Sequence, residues 1–449
     1  NAIVHGCGSR WRRARSRPRT VETVVRRMSP PRRLACGLLV GLVALVGCAP
    51  EPPRFERVVL IVVDTLRRDH LGHQGGPAKT PAIDALARRG ASFENAAASF
   101  HQTTMSMAAL FTGRVPALEW IPGPIPNFAF NGRSWCGLRR FGQRGDACVP
   151  PGVPTLAEQM RAAGLETLGV GSNELLHAPA GYHRGFDVWE EVGHVDAGFP
   201  VGPRAQARAR QASAVHAAAE RVVGGRTSDR FFLYVHYMEA HDWWLRDFDS
   251  YAEGVEASDA AVGELLALLE REGLLDGALV VLTGDHGEML ASDPVLIEQE
   301  RHFGNPSFEP VLDVPLVVAP AVELWTDRPI RTDQLAGLLL EWVGARGADD
   351  WRGTDLLADD EVFTSETAWR TYRRGRWKSA WPRDGAPPLL FDLETGEAEN
   401  VAEQHPRVVA QHEDRIGEIV AQLAAGGAGD PGSLSPEDLE LLRALGYAE

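Results

Sequence analysis

Five short apolar runs, each the length of a buried strand, alternate with amphipathic helical patterns along much of the chain. A strand that is apolar at every position is covered on both faces, which is typical of parallel sheets flanked by helices. The pattern therefore predicts an α/β fold, with a mostly parallel sheet sandwiched by helices. The predicted strands are 57–64, 167–173, 231–238, 278–285 and 314–320, and the predicted helices are 80–93, 155–166 and 251–274.

The alternation predicts a main domain at 57–345. One segment inside this domain and two segments after it have a different pattern. Residues 116–152 are rich in Pro, Gly and large aromatic residues, which predicts a long insertion in that domain. From about residue 360, short strand-like segments follow one another, which predicts a small C-terminal antiparallel subdomain within 346–405. The remaining residues, 406–449, are predicted to form a helical tail.

An export signal is predicted near the N-terminus. Two arginines precede an apolar run at 34–47 that is too short to span a bilayer comfortably but has the length of a signal-peptide core. The run ends in the letters LVGC, which resemble the bacterial lipobox. In that motif the cysteine, here Cys48, is lipidated and becomes the mature N-terminus. The alternative is an ordinary signal peptide in which Cys48 is incidental.

The lipobox interpretation gives each N-terminal segment a predicted role. The segment 28–47 is the lipoprotein signal peptide and 48–56 is a tether, whereas the arginine-rich residues 1–27 are an upstream extension before Met28. The mature protein is then expected in the bacterial cell envelope. A lipid anchor would hold it on the membrane, on the periplasmic or the cell-surface face.

The charge balance argues against a nucleic-acid partner. The formal net charge is −15, and residues 1–47 contribute ten arginines against one acidic residue. Without that segment, 36 basic and 60 acidic residues remain, a net charge of −24. Because binding to a phosphate backbone needs a basic face, no nucleic acid is expected among the partners.

Cysteine use is consistent with export. Cys7 and Cys36 fall in the predicted leader and Cys48 at the predicted lipid site, which leaves Cys136 and Cys148 on either side of a polar loop. In the cytosol this pair would be two free thiols, whereas an oxidising compartment favours a disulfide. A Cys136–Cys148 disulfide is therefore predicted.

Polar side chains stand at four predicted strand ends. Asp64 ends the first strand, His241 follows the third, Asp285 with His286 closes the fourth, and His302 comes just before the fifth. Asn173 ends the second strand and would face the same site, or it is a turn residue, because asparagine is common in such turns. A single such residue is usually a helix cap or a turn residue. Their recurrence predicts a site instead, because ligands of open parallel sheets bind at the carboxyl ends of the strands. Carboxylates and an imidazole are ligands that a divalent metal accepts.

A threonine in the segment FHQTTMSMAALFTG is a candidate to complete this site. On a divalent metal, the hydroxyl of Thr103 would have a lowered pKa and would act as a nucleophile near neutral pH. The structural alternative is that Thr103, Thr104 or Ser106 only caps a buried helix over Met105–Phe111.

Taken together, these segments resemble the sulfatase family of the alkaline-phosphatase superfamily. They occur in the family's order from about residue 56 to the C-terminus. The resemblance implies an alkaline-phosphatase-like fold, a sulfatase-like catalytic domain at 57–345, and hydrolysis of sulfate- or phosphate-type esters. The segments that carry it include RVVLIVVDTLRRDHLG, TPAIDALARRGASFENA, MSMAALFTG, HYMEAHDWW, VVLTGDHGEML and VLDVPLVV.

The resemblance also implies roles for single residues. Asp64, Asp285 and His286 fall on metal-ligand positions, and one divalent ion, Ca, Mn or Zn, is the expected cofactor. His241 falls on the histidine of the family's D-P-H motif, although Glu and Ala replace the first two letters. His302 falls where members carry a lysine or histidine that contacts the substrate. The two histidines would neutralise the substrate's oxyanions or protonate the leaving group.

The segment around Thr103 departs from the family. Sulfatases begin a C-x-P-S-R motif with a Cys or Ser that is oxidised to formylglycine, and counting back from Gly113 places Thr103 at that position. Threonine cannot give the same aldehyde because its β-carbon carries a methyl group, and Met107 replaces the motif's arginine. No formylglycine is therefore expected. A threonine nucleophile on one metal instead resembles the family's phosphoester- and phosphonoester-cleaving relatives.

The sequence therefore predicts a metal-dependent hydrolase of a small-molecule, glycan or lipid ester. Phosphoester or phosphonate chemistry is favoured over formylglycine-type sulfate cleavage, although a sulfatase that uses an unmodified threonine stays open. Two alternatives remain. One is an envelope transferase of the phosphoglycerol or phosphoethanolamine type, and the other is a catalytically inactive lipoprotein that binds glycan or protein.

Overall fold

The computed structural model describes residues 55–116, 129–130, 148–149, 152–193, 203–297, 306–321, 328–345, 356–366 and 368–426. The predicted export signal, Cys48, Cys136, His302 and most of the predicted insertion lie outside the described residues. No helix within the described ranges is both long enough and apolar enough to cross a bilayer.

Fifteen strands and nine α-helices are assigned within the described residues. The strands are β1 (Arg57–Val63), β2 (Ala91–Ser92), β3 (Ala96–Ala97), β4 (Val115–Pro116), β5 (Ala129–Phe130), β6 (Glu166–Gly171), β7 (Val188–Glu191), β8 (Phe231–Tyr237), β9 (Leu279–Gly284), β10 (Leu316–Ala319), β11 (Ile330–Arg331), β12 (Glu361–Ser365), β13 (Trp369–Arg374), β14 (Trp377–Pro382) and β15 (Leu389–Asp392). The helices are α1 (Pro81–Arg89), α2 (Thr103–Thr112), α3 (Leu156–Ala162), α4 (Pro203–Ala209), α5 (Ala212–Gly224), α6 (Tyr251–Arg271), α7 (Glu309–Leu312), α8 (Leu335–Trp342) and α9 (Pro406–Gly426).

The central sheet has seven strands in the order β2-β10-β9-β1-β8-β6-β7. The five strands from β9 to β7 pair in parallel, which confirms the predicted mostly parallel sheet. The run at 314–320 was predicted to be parallel, and this is wrong, since β10 pairs antiparallel with β9 and β2. An apolar run shows that a strand is covered on both faces, but it carries no information about strand direction.

Alternate residues of β1 face two separate cores, one on each side of the sheet. Val58, Leu60 and Val62 belong to one apolar cluster, and Val59, Ile61 and Val63 belong to the other. Residues of α2, α3 and α8 complete the first cluster, and residues of α1, α5 and α6 complete the second. The helices therefore cover both faces of the sheet, which leaves the ends of the strands as the place for a site.

The C-terminal part is a four-stranded antiparallel meander, β12-β13-β14-β15, as the sequence predicted. Helix α9 packs on it through Ile416, Ile419 and Leu423. The buried ammonium group of Lys378 in β14 lies 3.1 Å from a carboxylate oxygen of Glu309 in α7. This ion pair joins the meander to the main domain. The predicted domain boundaries themselves stay predictions.

Candidate active site

Three buried side chains that could bind a metal ion lie close together at the ends of two neighbouring strands. Val63 and Gly284 are paired at the ends of β1 and β9, and Asp64 and Asp285 are the residues that follow them. One ligand atom each of Asp64, Asp285 and His286 lie within 4.8 Å of one another. The predicted convergence at the carboxyl edge of the sheet is therefore present in the structure.

Local hydrogen bonds fix the orientation of the β9 residues. Oδ1 of Asp285 accepts from the backbone N–H groups of Thr65, at 3.1 Å, and His286, at 2.9 Å. The Nδ1 atom of His286 lies 2.8 Å from the carbonyl oxygen of Gly287. Because a carbonyl only accepts, Nδ1 carries the proton and Nε2 presents its lone pair. That Nε2 atom lies 3.6 Å from Oδ2 of Asp285.

Thr65 turns the chain sharply after the first aspartate. Its φ of 58° is in the left-handed region, which is unusual for a β-branched residue and costs about 1–3 kcal/mol. The hydroxyl of Tyr251 donates to the carbonyl of Thr65 and accepts from the backbone N–H of Arg67 at 3.0 Å. This turn lets the Thr65 N–H reach Asp285, so the strained residue ties the ends of β1 and β9 together.

Thr103 is the first residue of α2 and is buried against these ligands. Its Oγ1 lies 3.2 Å from Nε2 of His286 and 3.5 Å from Oδ2 of Asp64. The N-cap position belongs to Gln102, whose extended backbone has a φ of −144° and whose side chain makes no cap hydrogen bond. The alternative in which Thr103, Thr104 or Ser106 is the N-cap is therefore wrong.

The two aspartates have opposite pKa shifts. Burial opposes ionisation of Asp64, but contact with His236 and the charges of nearby histidines hold its pKa well below its usual range. Burial, together with the charge of Asp64, raises the pKa of Asp285. Burial also lowers the pKa of His286, which favours its neutral form. A divalent cation between the carboxyls would let both ionise.

The residues fit a divalent metal ion. Oδ1 of Asp64 and Oδ2 of Asp285 are buried and have no hydrogen-bond partner among the described residues. A buried carboxylate oxygen without a partner is costly unless a cation accompanies it. Two such oxygens, the Nε2 lone pair of His286 and the Thr103 hydroxyl form the mixed oxygen and nitrogen set that Ca, Mn or Zn accepts.

Two further polar residues support Asp64. Nδ2 of Asn173, which follows β6, donates to Oδ2 of Asp64 at 2.7 Å, so this asparagine faces the site. Nε2 of His236 lies 3.3 Å from the same oxygen, and its Nδ1 lies 2.8 Å from the hydroxyl of Tyr234. Sequence analysis missed His236. The signal was present, because a histidine in an otherwise apolar buried strand must find a polar partner.

His241 lies in the loop after β8 and is also buried. Its Nδ1 lies 2.9 Å from Oδ1 of Asp242, and its charge contributes to the lowered pKa of Asp64. Burial opposes protonation of His241, but the Asp242 hydrogen bond and the charge of Asp64 raise its pKa above the ordinary value. The imidazole is therefore suited to hold a proton near neutral pH.

Of the other predicted site residues, Cys148 alone lies among the described residues. His302, Cys48 and Cys136 lie outside the described residues, and Cys148 is buried in the first core cluster. The substrate contact, the lipidation and the disulfide stay predictions.

Known proteins resemble the chain in sequence and in structure. N-acetylgalactosamine-6-sulfatase of Mus musculus is 26% identical over 295 residues, which are 57% of this chain and 54% of the relative. The chain thus spans about half the length of the curated relatives it matches. Among solved structures, a 2-O GAG sulfatase has 16% identity and a TM-score of 0.61, and the match covers 82% of this chain and 92% of the other.

A second solved structure belongs to an enzyme with different chemistry. The phosphonate monoester hydrolase of Agrobacterium radiobacter has 17% identity and a TM-score of 0.58, with 82% of this chain and 96% of the other covered. At such identities the structural likeness concerns the fold. The model of the sulfatase family matches residues 56–320, more than half of the chain. The chain therefore belongs to the sulfatase family of the alkaline-phosphatase superfamily.

Proposed function

We propose that the protein is a metal-dependent hydrolase of sulfate- or phosphate-type esters in which Thr103 is the nucleophile. One observation carries this proposal: Oγ1 of Thr103 lies 3.2 Å from Nε2 of His286 and 3.5 Å from Oδ2 of Asp64, at the start of a buried helix. The first residue of a helix has no structural need for a hydroxyl aimed at a histidine and an aspartate. A nucleophile does need such neighbours.

Phosphoester or phosphonate esters are the favoured substrates. Formylglycine chemistry would require an aldehyde at position 103, which threonine cannot give. Met107 is buried in the first core cluster, so the position of the family's arginine contributes packing here. The fold is also that of a phosphonate monoester hydrolase, which is compatible with this choice.

Asp64, Asp285, His286 and Thr103 would hold the metal ion. When bound, a divalent cation supplies positive charge that lowers the pKa of the threonine hydroxyl and balances the charge of the substrate's oxygens. The carbonyl of Gly287 orients the His286 ring, and the amide of Asn173 orients the Asp64 carboxylate. Such partners of ligating groups fix ligand geometry.

The start of α2 suits an anionic substrate. The first backbone N–H groups of a helix and its dipole attract negative charge, and the side chain of the N-cap residue, Gln102, makes no cap hydrogen bond. Thr103 is at that end, so an ester that approaches its Oγ1 would bring its anionic oxygens towards the positive end of the helix.

The reaction would proceed in two displacements. The deprotonated Oγ1 of Thr103 forms a bond to phosphorus, the bond from phosphorus to the leaving oxygen breaks, and that oxygen takes a proton from His241. Water then attacks phosphorus, its proton passes to His241, and the bond to Thr103 breaks. The raised pKa of His241 fits the first proton transfer. His302 remains a predicted contact to the substrate's oxyanions.

Hydrolysis of matched nitrophenyl esters tests the proposal. The chain with Cys48→Ser, which prevents lipidation, would be given a phosphate monoester, a phosphodiester, a phosphonate and a sulfate with Mn, Zn or Ca. We expect metal-dependent turnover that Thr103→Ala abolishes, with a phosphorus ester preferred. Thr112→Ala is the matched control. Thr112 is a buried threonine of the same helix, and its hydroxyl donates to the backbone carbonyl of Ala108 one turn earlier.

Other outcomes select the alternatives. No turnover with any pair, together with no bound metal, would leave the inactive binding lipoprotein. Transfer of the phosphorus group to added glycerol or ethanolamine, in place of hydrolysis, would favour the transferase. A sulfate preference with an unmodified Thr103 would establish a sulfatase that works without formylglycine.

Substrate class and location belong to the same proposal. The names of the relatives, which include an N-acetylgalactosamine-6-sulfatase, support a glycan ester as the first class to screen, beside small-molecule and lipid esters. Lipidation of Cys48 would hold the enzyme at the bacterial envelope, supported by the basic start, the apolar run and the LVGC ending. Incorporation of a labelled fatty acid that Cys48→Ser abolishes tests this location.

A further inference from the structure

A buried ionic cluster includes Asp242, the hydrogen-bond partner of His241, and its other members have no part in the chemistry above. It contains two guanidinium groups and three carboxyls, and we call it the Arg210 cluster. The side chains of Arg210 and Asp242 are fully buried, and that of Arg246 is 10% exposed. The members are Arg210, Arg246, Glu174, Glu239 and Asp242.

Asp242 is held by both guanidinium groups. Arg210, the residue after α4, donates from Nε and Nη2 to the two oxygens of Asp242 at 2.8 and 2.6 Å. Nη2 of Arg246 donates to Oδ2 at 3.1 Å. A bidentate guanidinium fixes the plane of a carboxylate as well as its position. The Oδ1 atom that is held in this way is the one 2.9 Å from Nδ1 of His241.

The same arginine reaches a second strand end of the site. Nη1 of Arg210 donates to the carboxyl of Glu174, which directly follows Asn173. Asn173 in turn donates to Oδ2 of Asp64 at 2.7 Å. A single buried guanidinium therefore joins the segments that follow β6 and β8, and each of these segments carries a residue of the candidate active site.

We propose that Arg210, acting through Asp242, is a positioning residue that orients His241 for proton transfer to the leaving group. This inference rests on the proposed function. A carboxylate on Nδ1 keeps the proton there and leaves Nε2 as the nitrogen that exchanges a proton with substrate. Burial and the charge of Arg210 oppose protonation of the imidazole, whereas the Asp242 hydrogen bond and the charges of Asp64 and Asp242 favour it.

Stability alone is a weak reason for this cluster. Desolvation of buried ion pairs offsets most of their attraction, and well-packed apolar residues often stabilise a protein as well or better. Burial opposes ionisation of Asp242, but the charge of Arg210 and the His241 hydrogen bond lower its pKa, so it faces the imidazole as a carboxylate. A cluster that keeps this carboxylate charged and fixed is better explained by what it does for His241.

Leaving-group dependence separates positioning from a structural role. Nitrophenolate leaves without a proton, whereas phenolate depends on an acid, so loss of a general acid slows the phenyl ester selectively. We expect His241→Gln, Asp242→Asn and Arg210→Lys each to reduce kcat on the phenyl ester about 10²-fold more than on the nitrophenyl ester. Bound metal and thermal unfolding would be measured for each variant.

Arg415→Lys is the matched control. Arg415 also makes a bidentate pair, with Glu361 at 2.9 and 2.7 Å, but the pair lies in the C-terminal meander and α9. We expect this variant to affect both esters equally. Equal losses on both esters in Asp242→Asn and Arg210→Lys, or no loss, would overturn the inference. If Arg210→Lys does not fold, Asp242→Asn decides, because it retains the size of the side chain.

Failure of this inference is distinguishable from failure of the proposed function. If the unmutated protein hydrolyses no ester, the function fails. If it does hydrolyse them, and His241→Gln shows the leaving-group effect while Asp242→Asn does not, only the role of the Arg210 cluster fails.

Discussion

Oγ1 of Thr103 lies 3.2 Å from Nε2 of His286, although 183 residues separate them in the chain. The contact joins the start of α2 to the end of β9, and both groups are buried. The carbonyl of Gly287 accepts a hydrogen bond from Nδ1–H of His286, so the Thr103 hydroxyl faces the lone pair of Nε2. A hydroxyl and an imidazole nitrogen that lie in contact and are shielded from solvent are what a cation site and a nucleophile both require.

Replacing Thr103 with valine removes the hydroxyl and retains the shape. We expect Thr103→Val to lower kcat at least about 10³-fold, because the hydroxyl that forms the covalent intermediate is lost. Thr103→Ser retains the hydroxyl, and we expect it to stay within about tenfold of the unmutated enzyme. Steady-state kinetics with the preferred nitrophenyl ester measure both effects.

The control for that pair is Thr112→Val, at the other end of the same helix. The Thr112 hydroxyl donates to the carbonyl of Ala108 at 2.6 Å and faces no site residue in the described structure. Its loss should affect stability but leave kcat unchanged. Retention of kcat in Thr103→Val would exclude threonine as the nucleophile. The mass of the peptide that carries Thr103 should also match unmodified threonine.

Replacing Asp285 with asparagine should affect the metal-free and the metal-bound protein differently. Its Oδ1 accepts two backbone hydrogen bonds that an asparagine retains, and only Oδ2, which has no hydrogen-bond partner within the described part of the chain, is lost. Without metal, removing a carboxyl beside Asp64 should leave the melting temperature unchanged or raise it, because two buried like charges repel. With metal, the melting temperature of the variant should rise less than that of the unmutated protein, because the ion loses a ligand.

Thermal unfolding with and without metal tests this pattern. At a concentration of 100 Kd, a ligand stabilises the folded state by about 2.7 kcal/mol, and that gain disappears when affinity is lost. Asp259→Asn is the control, since Asp259 is a buried carboxyl that accepts from Ile83 and Ala82, outside the site. An Asp285→Asn protein with the full metal-induced rise would contradict a ligand role.

How much of this site the sequence could predict depends on the origin of each contact. Asp64, Asp285 and His286 were predictable because parallel strands bring their carboxyl ends to one edge of the sheet. The direction of β10 was not, since an apolar run is the same in either direction. The pairing of Arg210 with Asp242 depends on how a helix and a loop meet in space, and no periodicity in the sequence encodes it.

His236 should tune the metal affinity without binding the ion. Its Nε2 is 3.3 Å from Oδ2 of Asp64, and the hydroxyl of Tyr234 orients the ring from the other side at 2.8 Å. Loss of such a partner typically reduces metal affinity about 10–100-fold. We expect His236→Gln to fall in that range and Tyr234→Phe to have a smaller effect of the same sign, both measured by equilibrium dialysis.

His412→Gln is a suitable comparison for that experiment. His412 is another buried histidine with a hydroxyl partner, as its Nδ1 lies 2.9 Å from Oγ of Ser379, but it belongs to α9. Its replacement should leave metal affinity unchanged. Equal affinity in His236→Gln and the unmutated protein would show that Asp64 is oriented by Asn173 without the histidine.

The contact of α9 with the meander should weaken in acid. Burial opposes ionisation of Glu361, but hydrogen bonds from Arg415 and Tyr372 lower its pKa to about 2, against an ordinary 4.5. Because the folded pKa is the lower one, this contribution to stability is complete above about pH 4.5 and is lost as the pH falls towards 2. Because part of the Arg415 side chain is exposed, we expect this ion pair to contribute about 1 kcal/mol to the free energy of unfolding.

Urea unfolding at several pH values between 6 and 2.5 measures this contribution. Glu361→Gln should destabilise the protein at pH 6, and the difference from the unmutated protein should shrink as the pH falls, because glutamine has no proton to gain. Glu418→Gln is the control, since Glu418 contacts the same Arg415 at 3.1 Å but is 64% exposed. A difference for Glu361→Gln that stays constant with pH would mean that this carboxyl contributes shape and hydrogen bonding, and that its charge does not hold α9 in place.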